Sequence, residues 1–144
     1  MTHLQRILYT LLIILGVFLA LSAVPGGIAL LIGFNAPPVS QLSGSVFRDF
    51  TIPGLTLLFL VGGSAVLATF LLVRKHRFAL PSAFASGLIV MCFEFVEVLA
   101  IGSPPGPGLI MQALYFGVGV GLATASVTLL VISHSSQFGS SRGR

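Results

Sequence analysis

The sequence predicts an all-α polytopic membrane protein, a four-helix transmembrane bundle with a short interfacial segment between helices 1 and 2. Composition is the first observation behind this class. Of the 144 residues, 56% are hydrophobic and only 7% are charged, and the mean hydropathy is +1.09. Soluble domains carry roughly 25% charged residues. The second observation is that the apolar residues form four runs long enough for a bilayer, which a helix crosses in about 20 residues.

Turn-forming residues separate the four apolar runs and set the predicted helix boundaries. Helix 1 is predicted over about 7–32, which is longer than a straight span requires. Proline removes a backbone hydrogen bond, so Pro25 and the two glycines after it predict a break at 25–27. The other three helices are predicted over 54–73, 78–101 and 109–132.

The connection between helices 1 and 2 contains the only substantial loop. In its segment Val46-Phe47-Arg48-Asp49-Phe50, two phenylalanines flank an adjacent charged pair. We expect a short interfacial segment whose rings rest on the bilayer and whose charges lie among the headgroups. The helices form one transmembrane domain, residues 1–133. Residues 134–144 are expected to be a polar cytoplasmic tail that is too short and hydrophilic to fold alone.

The distribution of positive charge predicts the orientation. With four spans, both termini and the 74–77 loop lie on one side, which holds six of the seven Lys and Arg residues, against Arg48 on the other. The positive-inside rule therefore places both termini in the cytoplasm. We predict a multi-pass membrane protein that is in contact with membrane lipids.

Small residues at helical spacing predict how the helices pack, because close backbone approach drives association in lipid. The predicted packing stripes are Ala79, Ala83 and Gly87 on helix 3, and Gly117, Gly121 and Ala125 on helix 4. Cys92, the only cysteine, is expected to be a buried apolar residue.

Two of the three acidic residues, Glu94 and Glu97, lie inside helix 3, where charge is costly. A rise of about 1.5 Å per residue puts them roughly 24 and 28 Å from its cytoplasmic end. That is the outer third of a core about 30 Å thick. Gln112 and Tyr115 of helix 4 lie at a similar level, and Arg48 lies in the loop above them. The candidate ligand-binding residues are Glu94, Glu97, Gln112, Tyr115, Arg48 and Asp49.

Several functions fit this cluster. The leading hypothesis is a membrane protein that binds a small lipophilic or cationic ligand, or a lipid, in an outer-leaflet polar pocket. The alternatives are an accessory subunit that packs against a larger membrane complex and a homo-oligomeric, proton-coupled small-molecule transporter. Glu94 and Glu97 also have a purely structural interpretation, as hydrated or hydrogen-bonded carboxyls. No catalytic motif, metal-ligand spacing, cofactor motif or nucleic-acid stripe is found, so an enzyme is not expected.

Several motifs resemble a group of small bacterial integral membrane proteins with four predicted helices. These are Val24-Pro-Gly-Gly27, Gly44-Ser-Val-Phe-Arg-Asp-Phe-Thr-Ile-Pro-Gly-Leu55, Val98-Leu-Ala-Ile-Gly102 and Gln112-Ala-Leu-Tyr115. The resemblance covers roughly residues 10 to 125. It implies the same topology and a place in the bacterial cytoplasmic (inner) membrane, and it carries no activity. The group often has tryptophan where Phe93 stands, and Glu94 is not part of its pattern, so the resemblance favours Glu97 as a shared site residue.

Overall fold

The computed structural model describes residues 1–103 and 105–141, and the long elements in this part of the chain are all helical. Each of the four long helices is apolar enough to span a membrane. The protein is therefore a multi-pass membrane protein built as a four-helix bundle, and the predicted fold class is confirmed. The helices are α1 (His3–Ile32), α2 (Thr51–Val73), α3 (Ala79–Ile101) and α4 (Pro107–Ser141).

Helix α1 begins at His3 rather than near residue 7 because a capping box forms before it. The Thr2 hydroxyl accepts a hydrogen bond from the Gln5 backbone N–H at 3.2 Å, and the Gln5 side chain accepts one from the Thr2 N–H at 2.8 Å. This exchange satisfies two of the otherwise unpaired backbone donors at a helix start. The helix ends at Gly33, whose φ of 71° lies in the left-handed region that favours glycine.

Helix α1 continues through Pro25, so the predicted break at 25–27 is wrong. Proline leaves one backbone carbonyl without its donor, which a packed membrane helix tolerates. The glycines beside it serve close packing instead. A Cβ on Gly27 would lie only 2.7 Å from the backbone nitrogen of Leu58, and one on Gly62 would lie 2.8 Å from Val24 Cγ2. The Pro-Gly-Gly sequence therefore marks a place where α1 and α2 approach closely.

Helix α2 contains a π-helical stretch, Thr56–Gly62, that the sequence did not predict. This stretch packs against α1 across the Gly27 contact. π-Helical turns are rare and often occur at functional sites. Here the stretch also supplies one wall of the cavities described below.

Helices α3 and α4 make an extensive contact. A Cβ on Gly87 would lie 2.7 Å from the carbonyl oxygen of Gly119, and one on Gly119 would lie 2.8 Å from the carbonyl oxygen of Gly87. The predicted stripe on helix 3 is therefore used for packing. On α4 the closest residue is Gly119, whereas Gly117 faces open space and Gly121 approaches Leu15 of α1.

Helix α4 extends beyond its predicted end at residue 132. Residues 134–141 of the predicted tail continue the helix, and residues 142–144 lie outside the described part of the chain. The predicted tail boundary is therefore wrong for the described residues. Extending an existing helix fixes one residue for each added hydrogen bond, so a polar sequence follows an apolar helix at little cost.

Candidate functional site

A cavity of about 140 Å³ lies among the four helices at the level of Glu94 and Glu97. We call it the polar cavity because four of its lining residues are the candidates Glu94, Glu97, Gln112 and Tyr115. The structure therefore brings together the four candidates that lie on helices 3 and 4. The other lining residues are Ser22, Ala23, Gly26, Leu57, Val61, Val90, Phe93 and Met111.

Gln112 joins α4 to the end of α3. Its side chain is 6% exposed, and its Nε2 donates to Glu97 Oε1 at 3.2 Å and to the carbonyl oxygen of Gly102 at 3.0 Å. A carbonyl only accepts hydrogen bonds, so the amide nitrogen must be the atom that faces Gly102. Gln112 Oε1 is consequently directed away, and it is buried without a hydrogen-bond partner in the described residues.

Glu94 is the more deeply buried of the two glutamates, with 5% of its surface exposed, whereas Glu97 is partly buried. Glu94 Oε2 is buried, and no hydrogen-bond partner for it occurs among the described residues. Leaving such a group unsatisfied costs about 1–3 kcal/mol, and more when it is charged. Two residues that line the polar cavity, one on α3 and one on α4, therefore each have a buried oxygen without a partner among the described residues.

Two other polar residues of the polar cavity have different surroundings. The Tyr115 ring stacks on Phe18 of α1, with ring centroids 6.0 Å apart. The Ser22 hydroxyl donates to the carbonyl oxygen of Phe18 at 2.8 Å, so it is used within its own helix. Tyr115 thus packs the wall between α1 and α4, and Ser22 contributes little free polarity.

Arg48 and Asp49 are exposed and do not line the polar cavity. Asp49 Oδ1 instead accepts a hydrogen bond from the Thr51 N–H at 2.8 Å, at the start of α2. This bond lowers the pKa of Asp49 below its ordinary value. The structure therefore does not bring the loop pair together with the four helix candidates.

An apolar groove of about 430 Å³ adjoins the polar cavity. Val61, Phe93 and Glu97 line both spaces, so the two are direct neighbours. The remaining residues of the groove are Leu30 of α1, Pro37, Leu42, Phe47 and Phe50 of the loop, Pro53, Thr56 and Leu60 of α2, and Leu88, Ile89, Cys92, Val96, Ala100 and Ile101 of α3.

The loop between α1 and α2 forms part of the groove wall. Phe47 and Phe50 line the groove, and Leu42, in the short 3₁₀ helix Val39–Leu42, is 4% exposed. The sequence predicted that these rings rest on the bilayer, whereas the structure turns them toward α2 and α3. Arg48, between them in sequence, is exposed and is not among the residues that line the groove.

Cys92 was expected to be buried, and this expectation is wrong. The thiol residue is exposed at the surface of the chain, where it lines the apolar groove. It shares a helical face with Leu88 and Val96, four residues before and after it, and that face borders the groove. The sequence could not show this, because a residue beside an apolar groove and a residue in a packed core are equally apolar.

Within the described residues, no group of three or more His, Cys, Asp or Glu side chains is placed to hold a metal ion. Comparisons of the chain with protein-family models, with curated proteins and with solved structures find no match. The fold and site define a class, a multi-pass membrane bundle in which an apolar groove adjoins a polar cavity. The function has to be argued from that geometry.

Proposed function

We propose that the protein binds a small lipophilic or cationic ligand, or a lipid, with its apolar part in the groove and its polar end in the polar cavity. The observation that supports this most is the position of Glu97, which lines both spaces. An amphiphilic molecule that lies along the groove would meet a carboxyl group at its end. The positive-inside orientation puts this site in the outer half of the membrane.

The size and lining of the two spaces suit such a molecule. Ligand pockets usually measure about 300–1,000 Å³ and combine apolar walls with a few polar groups. The groove, at about 430 Å³, lies in that range. The polar cavity, at about 140 Å³, is large enough for a headgroup, since a water molecule occupies only about 30 Å³ in the liquid.

Selectivity must come from the polar end. In a bilayer the competing solvent is itself apolar, so moving an alkyl chain from lipid into an apolar groove gains little free energy. The unpartnered oxygens of Glu94 and Gln112, by contrast, gain hydrogen bonds that acyl chains do not offer. The groove sets the shape of the ligand, and the polar cavity sets its affinity.

The single cysteine provides the test. Because Cys92 lines the groove, a bound molecule should slow its reaction with a membrane-permeant thiol reagent. The purified protein is labelled before and after exhaustive delipidation, and native mass spectrometry records any co-purifying mass. We expect slower labelling, by severalfold, while that mass is bound, and a weaker association in the Glu97→Gln variant.

A matched control reports general access of the reagent. Leu99 lies on the same helix, is 71% exposed and is not part of the groove. In the double variant Cys92→Ser, Leu99→Cys the labelling rate should not depend on delipidation. If delipidation alters neither Cys92 labelling nor the native mass, the proposed function is wrong.

A second candidate is an accessory subunit of a larger membrane complex, bound through α4. The observation that favours it is that Gly117 is exposed and that no described residue has an atom within 4 Å of where its side chain would be. A small residue on an open helix face allows close approach of another helix. Purification in mild detergent followed by mass determination tests this function, because a chain that runs alone, or only with itself, contradicts it.

A further inference from the structure

We infer that the headgroup recognised by the polar cavity is a protonated primary amine, and that quaternary ammonium and anionic headgroups are discriminated against. The inference rests on the proposed binding function and adds the chemical class of the ligand. It stands on two buried oxygens, the orientation of one amide and the absence of positive charge among the described residues that line the cavity.

The two oxygens are Glu94 Oε2 and Gln112 Oε1. Both belong to side chains that are more than nine-tenths buried, and both residues line the polar cavity. Neither oxygen has a hydrogen-bond partner in the described part of the chain. Buried polar groups are nearly always paired in folded proteins, so two unpaired acceptors at one cavity indicate a ligand that brings donors.

The orientation of Gln112 excludes the opposite preference. Its nitrogen is held between Glu97 Oε1 and the carbonyl oxygen of Gly102, at 3.2 and 3.0 Å. Rotating the amide by half a turn would place an acceptor against the Gly102 carbonyl, which cannot donate. The amide therefore presents an oxygen, and a headgroup that only accepts hydrogen bonds finds no partner there.

The charge around the polar cavity also favours a cationic headgroup. Two glutamates line it, and no Lys, Arg or His is among its described lining residues. A phosphate or carboxylate headgroup would be buried beside carboxyl groups without an opposite charge, which is strongly unfavourable. A cation is therefore preferred over an anion.

The number of donors separates one kind of cation from another. A primary ammonium carries three N–H donors, which is enough for both oxygens, whereas a trimethylammonium group has none. Phe93 and Tyr115 line the polar cavity and could attract any cation through their ring faces. Leaving the two oxygens unpaired should nevertheless weaken trimethylammonium binding by about tenfold or more, since sites built for hydrogen bonds reject analogues that lack them.

The test uses the full chain in phosphatidylcholine nanodiscs at pH 7 and follows protection of Cys92 from a thiol reagent. The probes are dodecylamine, dodecyltrimethylammonium and laurate, which share a chain length and differ in the headgroup. Dodecylamine should protect Cys92 at a concentration at least about tenfold lower than the other two. Equal protection by dodecylamine and dodecyltrimethylammonium would overturn the inference and leave the proposed function intact. Absence of protection by any probe, without a co-purifying mass, would count against the proposed function itself.

Variants locate the effect. Glu94→Gln and, separately, Gln112→Leu should each reduce the advantage of dodecylamine over dodecyltrimethylammonium severalfold. Gln41→Leu, a change of the same kind at an exposed loop position outside both spaces, should leave the advantage unchanged. Circular dichroism verifies that each variant is folded. If Gln112→Leu does not fold, the protection measured with Glu94→Gln alone tests the inference. An advantage that survives Glu94→Gln in full refutes the assignment.

A primary amine in this position could be a free alkylamine or the headgroup of a membrane lipid. Nanodiscs of phosphatidylethanolamine, whose headgroup ends in a primary ammonium, separate the two sources. Slower Cys92 labelling in phosphatidylethanolamine than in phosphatidylcholine, without added probe, identifies the lipid. Equal rates in the two lipids, together with protection by dodecylamine, identify the free amine. Both results support the amine class.

Discussion

Gly119 and Gly117, two residues apart on α4, should respond in opposite ways to substitution by alanine. A Cβ on Gly119 would lie 2.8 Å from the carbonyl oxygen of Gly87 and 2.6 Å from the Met91 side chain, whereas one on Gly117 would meet nothing within 4 Å. The Met91 side chain can rotate away, but the Gly87 oxygen is backbone. Helices α3 and α4 would therefore have to separate by about half an ångström along much of their contact.

The magnitude follows from two opposing effects. Replacing glycine by alanine inside a helix favours folding by about 0.8–1.0 kcal/mol at either position. Overpacking a tight contact costs about 1–3 kcal/mol, and only Gly119→Ala incurs that cost. We expect Gly117→Ala to be neutral or slightly stabilising. Gly119→Ala should then be less stable than Gly117→Ala by about 1–3 kcal/mol, because the helix-propensity effect cancels in the comparison.

The assay is reversible unfolding of the full chain in mixed micelles with increasing SDS, followed by circular dichroism. The free energy of unfolding of the two variants is compared under the same conditions. Equal stabilities would refute the close α3–α4 packing. A larger loss for Gly117→Ala would instead show that the Gly117 face is packed, as the stripe read from the sequence predicts, against a partner or a second copy.

Three further variants test other contacts by the same unfolding measurement. Gly27→Ala should destabilise the protein by about 1–3 kcal/mol relative to Gly26→Ala. A Cβ on Gly27 would lie 2.7–2.8 Å from backbone atoms of Leu58, whereas one on Gly26 would meet only Leu57 Cδ2, at 3.5 Å. Equal free energies of unfolding for the two variants would contradict the close approach of α1 and α2. Gln112→Leu removes two hydrogen bonds. Its free energy of unfolding should be lower than that of Gln41→Leu by about 1–3 kcal/mol, since interhelical hydrogen bonds in membranes contribute about 0.6–1.7 kcal/mol each. The pKa of Asp49 is lower in the folded protein than in the unfolded chain, where it is about 3.9. Its carboxylate therefore stabilises the fold at pH values above the unfolded-state pKa, and this stabilisation is lost as the pH falls through the folded-state pKa. The stability difference between the native protein and Asp49→Asn should therefore shrink below about pH 4, and a constant difference would exclude this role.

The four spans could be predicted because the lipid solvent imposes one simple requirement. Every backbone group must be paired within the membrane, so long apolar runs have to be helices whatever their other features. The errors came from local rules applied without neighbours. Pro25 suggested a break, yet α1 continues through it, and Gly27 beside it packs closely against α2. Residues 134–141 looked like a free polar tail, yet they extend a helix that already exists.

Part of the candidate site could also be predicted from the sequence, and part of it could not. Glu94, Glu97, Gln112 and Tyr115 were recognisable because polar residues are rare inside a membrane, and counting turns put them at one level. The apolar groove was not recognisable, because residues that face a groove, a core or lipid are chemically alike. The loop pair was misplaced because a position on the same side of the membrane was taken for nearness in space. The loop turns its phenylalanines inward and leaves Arg48 exposed.

The two glutamates differ in a way that sequence alone does not reveal. The resemblance to a bacterial group favoured Glu97, and the structure gives that residue a partner, since Gln112 already donates to one of its oxygens. Glu94, which lies outside the group's pattern, has the unpartnered buried oxygen. The Glu97 oxygen that accepts from Gln112 helps to hold α3 and α4 together. The unpaired Glu94 oxygen is costly in the protein without a ligand, and this cost is recovered only by a partner that brings a donor. The residue that the pattern leaves out is therefore the one on which ligand choice should depend most.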